Sequence, residues 1–380
     1  MPDLSLAKGA DALLMLGDSE RIADLFYATG FRAPDPFHYI ATPDRAWVLV
    51  KDLELDRARQ QVRDAEVLPL RCYEAARHQQ GDNAAPGGVI ADVLRELDLH
   101  SLQVPAYFPV ATADDLRNAG FEITVVGSPL FPNRVIKTEA EVEAISNSLA
   151  AAESAMSVAI DAIRSAEIRD NLLVLGGEPL TSEAVRRLIH HTLLESDCRA
   201  DHTIVAGGEQ AIDPHQDGHG PLPAHAPIIV DIFPCSALTG YYGDITRTVV
   251  RGTASVTARE LYDSVAAAQA FALETVADGV DGRLVHEGVS QHFVDAGYKT
   301  GEKDGRMQGY FHGTGHGLGL EIHEAPFMSR RCDPLRTGQV VTIEPGLYYA
   351  GIGGVRIEDV VVIENGGCRN LTSFPEVFEL

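Results

Sequence analysis

The stretch PIIVDIFPCSALTGYYGDITRTVV, residues 227–250, decides how this chain is read. Two short apolar runs flank a link rich in turn formers, the pattern of a hairpin with a long loop. Each arm carries one acid, Asp231 within the first and Asp244 near the start of the second. A carboxylate set among apolar strand residues is costly to bury unless a metal ion or a partner compensates it. For either acid alone, the alternative is a strand end facing water.

Three later segments shift that balance. FHGTGHGLGLEIHE, 311–324, sets His312, His316 and His323 among Gly313, Gly315, Gly317 and Gly319. VVTIEPGLYY, 340–349, ends an apolar run on Glu344, and GGVRIEDVVVIE, 353–364, carries Glu358 with Arg356 two residues before it. Asp231, Asp244, His316, Glu344 and Glu358 make a donor set of four carboxylates and one imidazole. Hard oxygens with a single nitrogen suit Mn, Co, Fe or Zn. Four carboxylates overcharge one divalent ion and balance two, so the composition favours a two-metal site with a bridging water or hydroxide.

These ordered segments resemble the metallopeptidase family that includes methionine aminopeptidase, aminopeptidase P and prolidase, whose catalytic domain has the pita-bread fold. The resemblance runs through residues 137–380; in the first 130 it rests on YATGF and a strand–helix rhythm. It implies that Asp231 chelates one ion, that Asp244 and Glu358 bridge both, and that His316 and Glu344 hold the other. It also implies Glu344 as proton shuttle, with His312, His323 and His215 orienting substrate or stabilising charge. The glycines around His312 and His316 argue against a helix there and allow close backbone approach. On a strand Arg356 and Glu358 share a face, so Arg356 can pair with a ligand carboxylate or with substrate. From the residues alone His215, His219 and His225 stand as alternatives on the loop 212–225; the resemblance implies His215, followed by Gln216.

The histidine pattern, the RIED block and the additional N-terminal domain resemble the proline peptidases more than the methionine aminopeptidases. The implied activity is dinuclear, metal-dependent hydrolysis of X-Pro bonds in short peptides, as an Xaa-Pro aminopeptidase or an Xaa-Pro dipeptidase. The alternatives are a hydrolase of another small amide on the same fold and a catalytically inactive binding relative. Retention of all five ligand positions weighs against the latter.

Length and composition agree. At 380 residues the chain exceeds the usual single domain. The net charge of -24 argues against nucleic acid and anionic membrane surfaces as partners. Five scattered cysteines without a CxxC fit reduced thiols and a cytoplasmic setting. MPDLSLAKGADALLMLG has neither the basic flank nor the long apolar core of a signal, and no run reaches membrane-spanning length.

Strands at DALLML, AWVLV and EVLPL and helices at SERIADLFYATG, LELDRARQQVRDA and GGVIADVLRELDL give an α/β N-terminal domain of the creatinase type, residues 1–132. No glycine-rich phosphate loop occurs in it. The resemblance implies that it supports a homodimer and caps the active site. Thr138 followed by Glu141 marks a helix start at the beginning of the catalytic domain, residues 137–380, expected as α+β. Further helices are expected at 181–197, 257–279 and 282–297, and a hydrophilic loop at 298–310.

Overall fold

The computed structural model describes residue 4 and residues 6–79 and 86–380; residues 1–3 and 5, part of the stretch read for a signal, lie outside the described residues. The chain divides into two compact units, Met1–Arg134 and Val135–Leu380.

The first unit is built on one six-stranded sheet. Its centre is an antiparallel trio, Ala12–Gly17, Phe37–Ala41 and Ala46–Val50, extended at both edges by parallel strands. ALLML and AWVLV read as continuous apolar runs because both faces are covered. Leu13 and Met15 pack with Leu25, Ala28, Leu55 and Ala58 from two helices. Ala12 and Leu14 pack on the other face with Val89, Ile90, Val93 and Leu116. The strand Phe37–Ala41 is not announced by alternation, because His38 interrupts its apolar pattern.

His38 sits opposite Leu16 and Leu49 and is 6% exposed. Neither ring nitrogen has a hydrogen-bond partner. Burial pushes its pKa down to about 4.

The second unit opens on the helix Glu139–Ser165. Thr138 accepts from the Glu141 N–H, and Glu141 accepts from the Thr138 N–H at 2.8 Å, so two of the helix-start donors are satisfied reciprocally. Two sheets follow. The strands Ile204–Gly207, Ile228–Ile232 and Ile245–Val249 form one, with Asp231 opposite Thr246 in the expected hairpin. The strands Glu324–Met328, Gly315–Gly317, Val340–Ile343, Asp359–Glu364 and Gly367–Asn370 form the other. Helices Glu139–Ser165 and Ser182–Glu195 bury Ile145, Leu149, Val185 and Ile189 against Ile228 and Val230. Helices Val256–Thr275 and Gly282–Asp295 bury Leu261, Val265, Val285 and Val289 against Val341 and Val361.

The sheets are stitched where they meet. Glu358 N–H donates to the Thr246 carbonyl at 3.1 Å, and beside that bond Thr248 Oγ1 donates at 2.8 Å to the carbonyl of Arg356, on the separate hairpin of Gly346–Tyr349 and Gly353–Arg356. The segment 298–310 is not the plain loop expected: Gly301–Lys303 and Arg306–Gln308 pair as a hairpin. Its turn is Asp304–Gly305, both at positive φ, the dipeptide that suits a tight hairpin turn.

The buried neutral His38 sets a pH dependence. Below its ordinary pKa the unfolded chain takes up a proton that the folded strand does not, so stability present above about pH 6.5 is lost as pH falls toward 4. The loss amounts to about 2 kcal/mol by pH 5. Urea unfolding followed through Trp47, the sole tryptophan, should show a smaller pH dependence in His38→Leu than in the wild type. Identical pH slopes in the two proteins would contradict the reading.

Candidate metal centre

Each candidate ligand is delivered by a strand or a strand end. Asp231 lies on Ile228–Ile232, and Asp244 immediately precedes Ile245–Val249. His316 is the middle residue of Gly315–Gly317. Glu344 follows Val340–Ile343, and Glu358 precedes Asp359–Glu364. The glycines flanking His316 are required by contact: a Cβ on Gly315 would lie 1.8 Å from the Thr342 carbonyl oxygen, and one on Gly317 would lie 2.3 Å from that of Ala325. Only bare backbone lets the histidine strand enter so close between its neighbours.

Asp244, His316 and Glu358 are buried, and each offers a ligand atom within 4.8 Å of the others. His316 Nε2 lies 3.7 Å from Asp244 Oδ2 and 3.6 Å from Glu344 Oε1. Its Nδ1 faces the Gly317 carbonyl at 3.2 Å, so Nδ1 carries the proton and Nε2 presents a lone pair to the carboxylates. Burial and the nearby His323 push the His316 pKa down to about 3, which keeps the ring neutral. Burial raises Asp244, and Glu358, Asp231 and Glu344 raise it further. Burial raises Glu358 as well, with Glu344 and Asp231 adding to the effect. Burial pushes Glu344 up to about 7, with Arg356 pulling the other way. Asp231 Oδ1 is buried without any hydrogen-bond partner.

This is a cluster of acceptors facing acceptors. A lone pair aimed at carboxylates, an orphaned carboxylate oxygen and several converging negative charges are what a cation would resolve. The residues present fit divalent metal.

Arg356 is the protein's own counter-charge. Its side chain is 4% exposed, and it donates to Asp231 Oδ2 at 2.6 Å. It also donates to the Tyr348 hydroxyl at 2.9 Å. Tyr348 is fully buried and lies 3.0 Å from His312 Nε2. Since His312 Nδ1 faces the Gly313 carbonyl at 2.8 Å, Nδ1 donates there and Nε2 accepts from Tyr348. Both ring nitrogens of His312 are thereby engaged within the chain, and burial pushes its pKa down to about 3. The line Asp231–Arg356–Tyr348–His312 is continuous. Tyr348 had no role in the sequence reading; its place in GLYY, four residues beyond Glu344, was the available signal.

The cluster opens on a cavity of about 690 Å³. His323 and His215 both line it, and the His323 ring meets that of His316 edge-on at 4.3 Å between centroids. Burial, then repulsion from His215, lowers the His323 pKa. Of the three loop histidines, His215 is the one lining this cavity. His225 instead accepts from the Thr253 N–H at 3.0 Å, and the His219 backbone is held by Gln210. His286 bonds Tyr310 and Thr314 at 3.1 and 3.0 Å.

Residues 143–365 match the model of metallopeptidase family M24, and residues 4–126 match the creatinase/prolidase N-terminal domain. An Xaa-Pro dipeptidase of Pyrococcus furiosus is 33% identical over 241 residues, spanning 63% of each chain. One of Pyrococcus horikoshii is 31% identical over 278 residues, 72% of this chain and 73% of that one. The structure of an X-Pro aminopeptidase from Thermotoga maritima superposes with a TM-score of 0.81 at 24% identity, covering 98% of both chains. The prolidase of Pyrococcus furiosus superposes with a TM-score of 0.78 at 23% identity over 97% of both. With the ordered blocks, the two matched domains and the converging ligands in agreement, the chain belongs to metallopeptidase family M24, with the pita-bread fold in its catalytic domain.

Proposed function

We propose that this protein is an Xaa-Pro peptidase that hydrolyses the bond before proline in short peptides with two divalent ions. The observation that carries the proposal is the buried meeting of Asp244, His316 and Glu358, with the His316 lone pair turned toward carboxylates. Asp231, Asp244, His316, Glu344 and Glu358 would hold the ions. Their four carboxylates match the charge of two divalent ions, while Arg356 is committed to Asp231. Bound there, the metals supply Lewis acidity and lower the pKa of water.

The chain's own groups do the rest. Glu344 is the most open of three of these acids, 19% exposed against 5% for Asp244 and 10% for Asp231. It would take a proton from the attacking water and pass it to the departing proline nitrogen, which must be protonated to leave. An X-Pro bond is a tertiary amide without an N–H, so a hydrogen bond from the site to that amide must go to its carbonyl. His323 and His215 put imidazoles at the cavity wall, and a neutral imidazole offers one N–H to such an oxygen. His312, with both nitrogens engaged, acts through position: it holds Tyr348, which holds Arg356, which holds Asp231. The names of the Pyrococcus relatives support the same substrate class.

Metal-loaded protein offered Ala-Pro-Ala and Ala-Ala-Ala, with Mn, Co and Zn in turn, should cleave only the first. His323→Ala should lower turnover by about 10²–10⁴ with metal content unchanged. Equal rates on both peptides would remove the proline assignment, and no cleavage with metals bound would move the chain to another small amide or to a binding role.

Tyr348→Phe tests the positioning line separately. Loss of one hydroxyl leaves His312 and Arg356 each short of a partner, which costs about 1–3 kcal/mol of stability. With metal content preserved, kcat should fall by about tenfold while KM changes little. Wild-type kcat in this variant would make the Tyr348 contacts purely structural.

A further inference from the structure

The cavity above the metal centre has a charge pattern that selects among proline peptides. Besides the candidate ligands, Asp213 and Asp217 line it, and the described residues that line it include one arginine, Arg356, and no lysine. Arg356 is not open to a ligand: it is buried, and it serves Asp231, Tyr348 and the Pro214 carbonyl. Once two divalent ions match the four ligand carboxylates, Arg356 offsets only one of the two remaining acids. The lining stays negative.

The acids belong to a pinned segment. Arg186 donates to the carbonyl oxygens of Asp217 and Gly218, and Val205 N–H donates to the Asp217 carbonyl at 3.0 Å. Gly218 takes φ +82, and a Cβ there would lie 1.9 Å from the Val205 carbonyl oxygen. Asp213 Oδ1 accepts from the His215 N–H at 3.0 Å, which ties that acid to the histidine beside it.

A free X-Pro dipeptide carries its carboxylate on the proline itself, next to the bond to be cut. Bound here, that carboxylate would sit within a negative cavity whose one guanidinium is engaged. A peptide that continues past the proline replaces the charge with a neutral amide. We propose that Asp213 and Asp217 turn this site against free X-Pro dipeptides and toward longer X-Pro peptides with a neutral or basic residue after the proline. The proposal rests on the X-Pro peptidase reading above.

The test uses the metal-loaded full chain at neutral pH with Ala-Pro, Ala-Pro-amide, Ala-Pro-Ala, Ala-Pro-Lys and Ala-Pro-Glu. The amide and Ala-Pro-Ala should exceed Ala-Pro in kcat/KM by about tenfold, and Ala-Pro-Lys should exceed Ala-Pro-Glu by a similar factor. Replacing both acids, Asp213→Asn with Asp217→Asn, should shrink both ratios toward one while metal content holds. Ala-Pro cleaved as well as its amide, or ratios unmoved in the double variant, would overturn the proposal and leave the X-Pro activity standing. Cleavage of none of the five peptides with both metals bound would overturn the activity, and the proposal with it.

Discussion

Four carboxylates and one neutral imidazole are drawn together in a largely buried cluster, with one guanidinium to answer them. Nothing in the packing of hydrophobic side chains asks for this. Like charges in a low-dielectric interior repel strongly, and an acceptor pointed at acceptors gains nothing. Burial, and after it the charge of neighbouring acids, raises the pKa values of Asp244, Glu344 and Glu358, and one oxygen of Asp231 is left without a partner. Divalent cations remove the conflict, and the arrangement of the catalytic unit makes sense as a holder for them.

The fold supplies convergence by bridging two sheets between Thr246 and Glu358. The Asp pair comes from neighbouring strands of one sheet, and the Glu pair and His316 come from the other. The bond between the Glu358 N–H and the Thr246 carbonyl fixes their relation. Thr246 also donates its hydroxyl to Glu358 Oε2 at 2.7 Å, so one residue opposite Asp231 orients a ligand on the other sheet. Arg247 ties the same junction from behind, donating to the Glu358 carbonyl at 2.7 Å and pairing with Asp359 at 2.9 Å. The candidate ligands are held by strands and backbone contacts, which position groups more sharply than loops.

Much of this was legible in the sequence because acids and glycines in apolar strands violate the local pattern, and such violations mark sites. Asp231 in IIVDI, His316 between glycines and Glu358 before DVVV could each be picked out that way. The capping box at Thr138 and Glu141 was equally plain, since its signal is local. Tyr348 was not legible: its hydroxyl matters only because residues 36 positions earlier and 8 positions later meet it. The choice among His215, His219 and His225 likewise depends on the path of a loop, which spacing does not encode. Phe37–Ala41 hid because a buried histidine broke its apolar run. The 301–308 hairpin hid because exposed strands carry no hydrophobic alternation.

The catalytic unit depends on metal answering buried charge, and calorimetric titration of chelator-stripped full chain with Mn(II) tests that dependence most directly. That dependence predicts saturation at two ions per chain, a higher melting temperature in the loaded protein, and loss of at least one ion in Asp244→Asn with the fold retained. Binding of no metal by the wild type, or the same stoichiometry and affinity in Asp244→Asn, would contradict it.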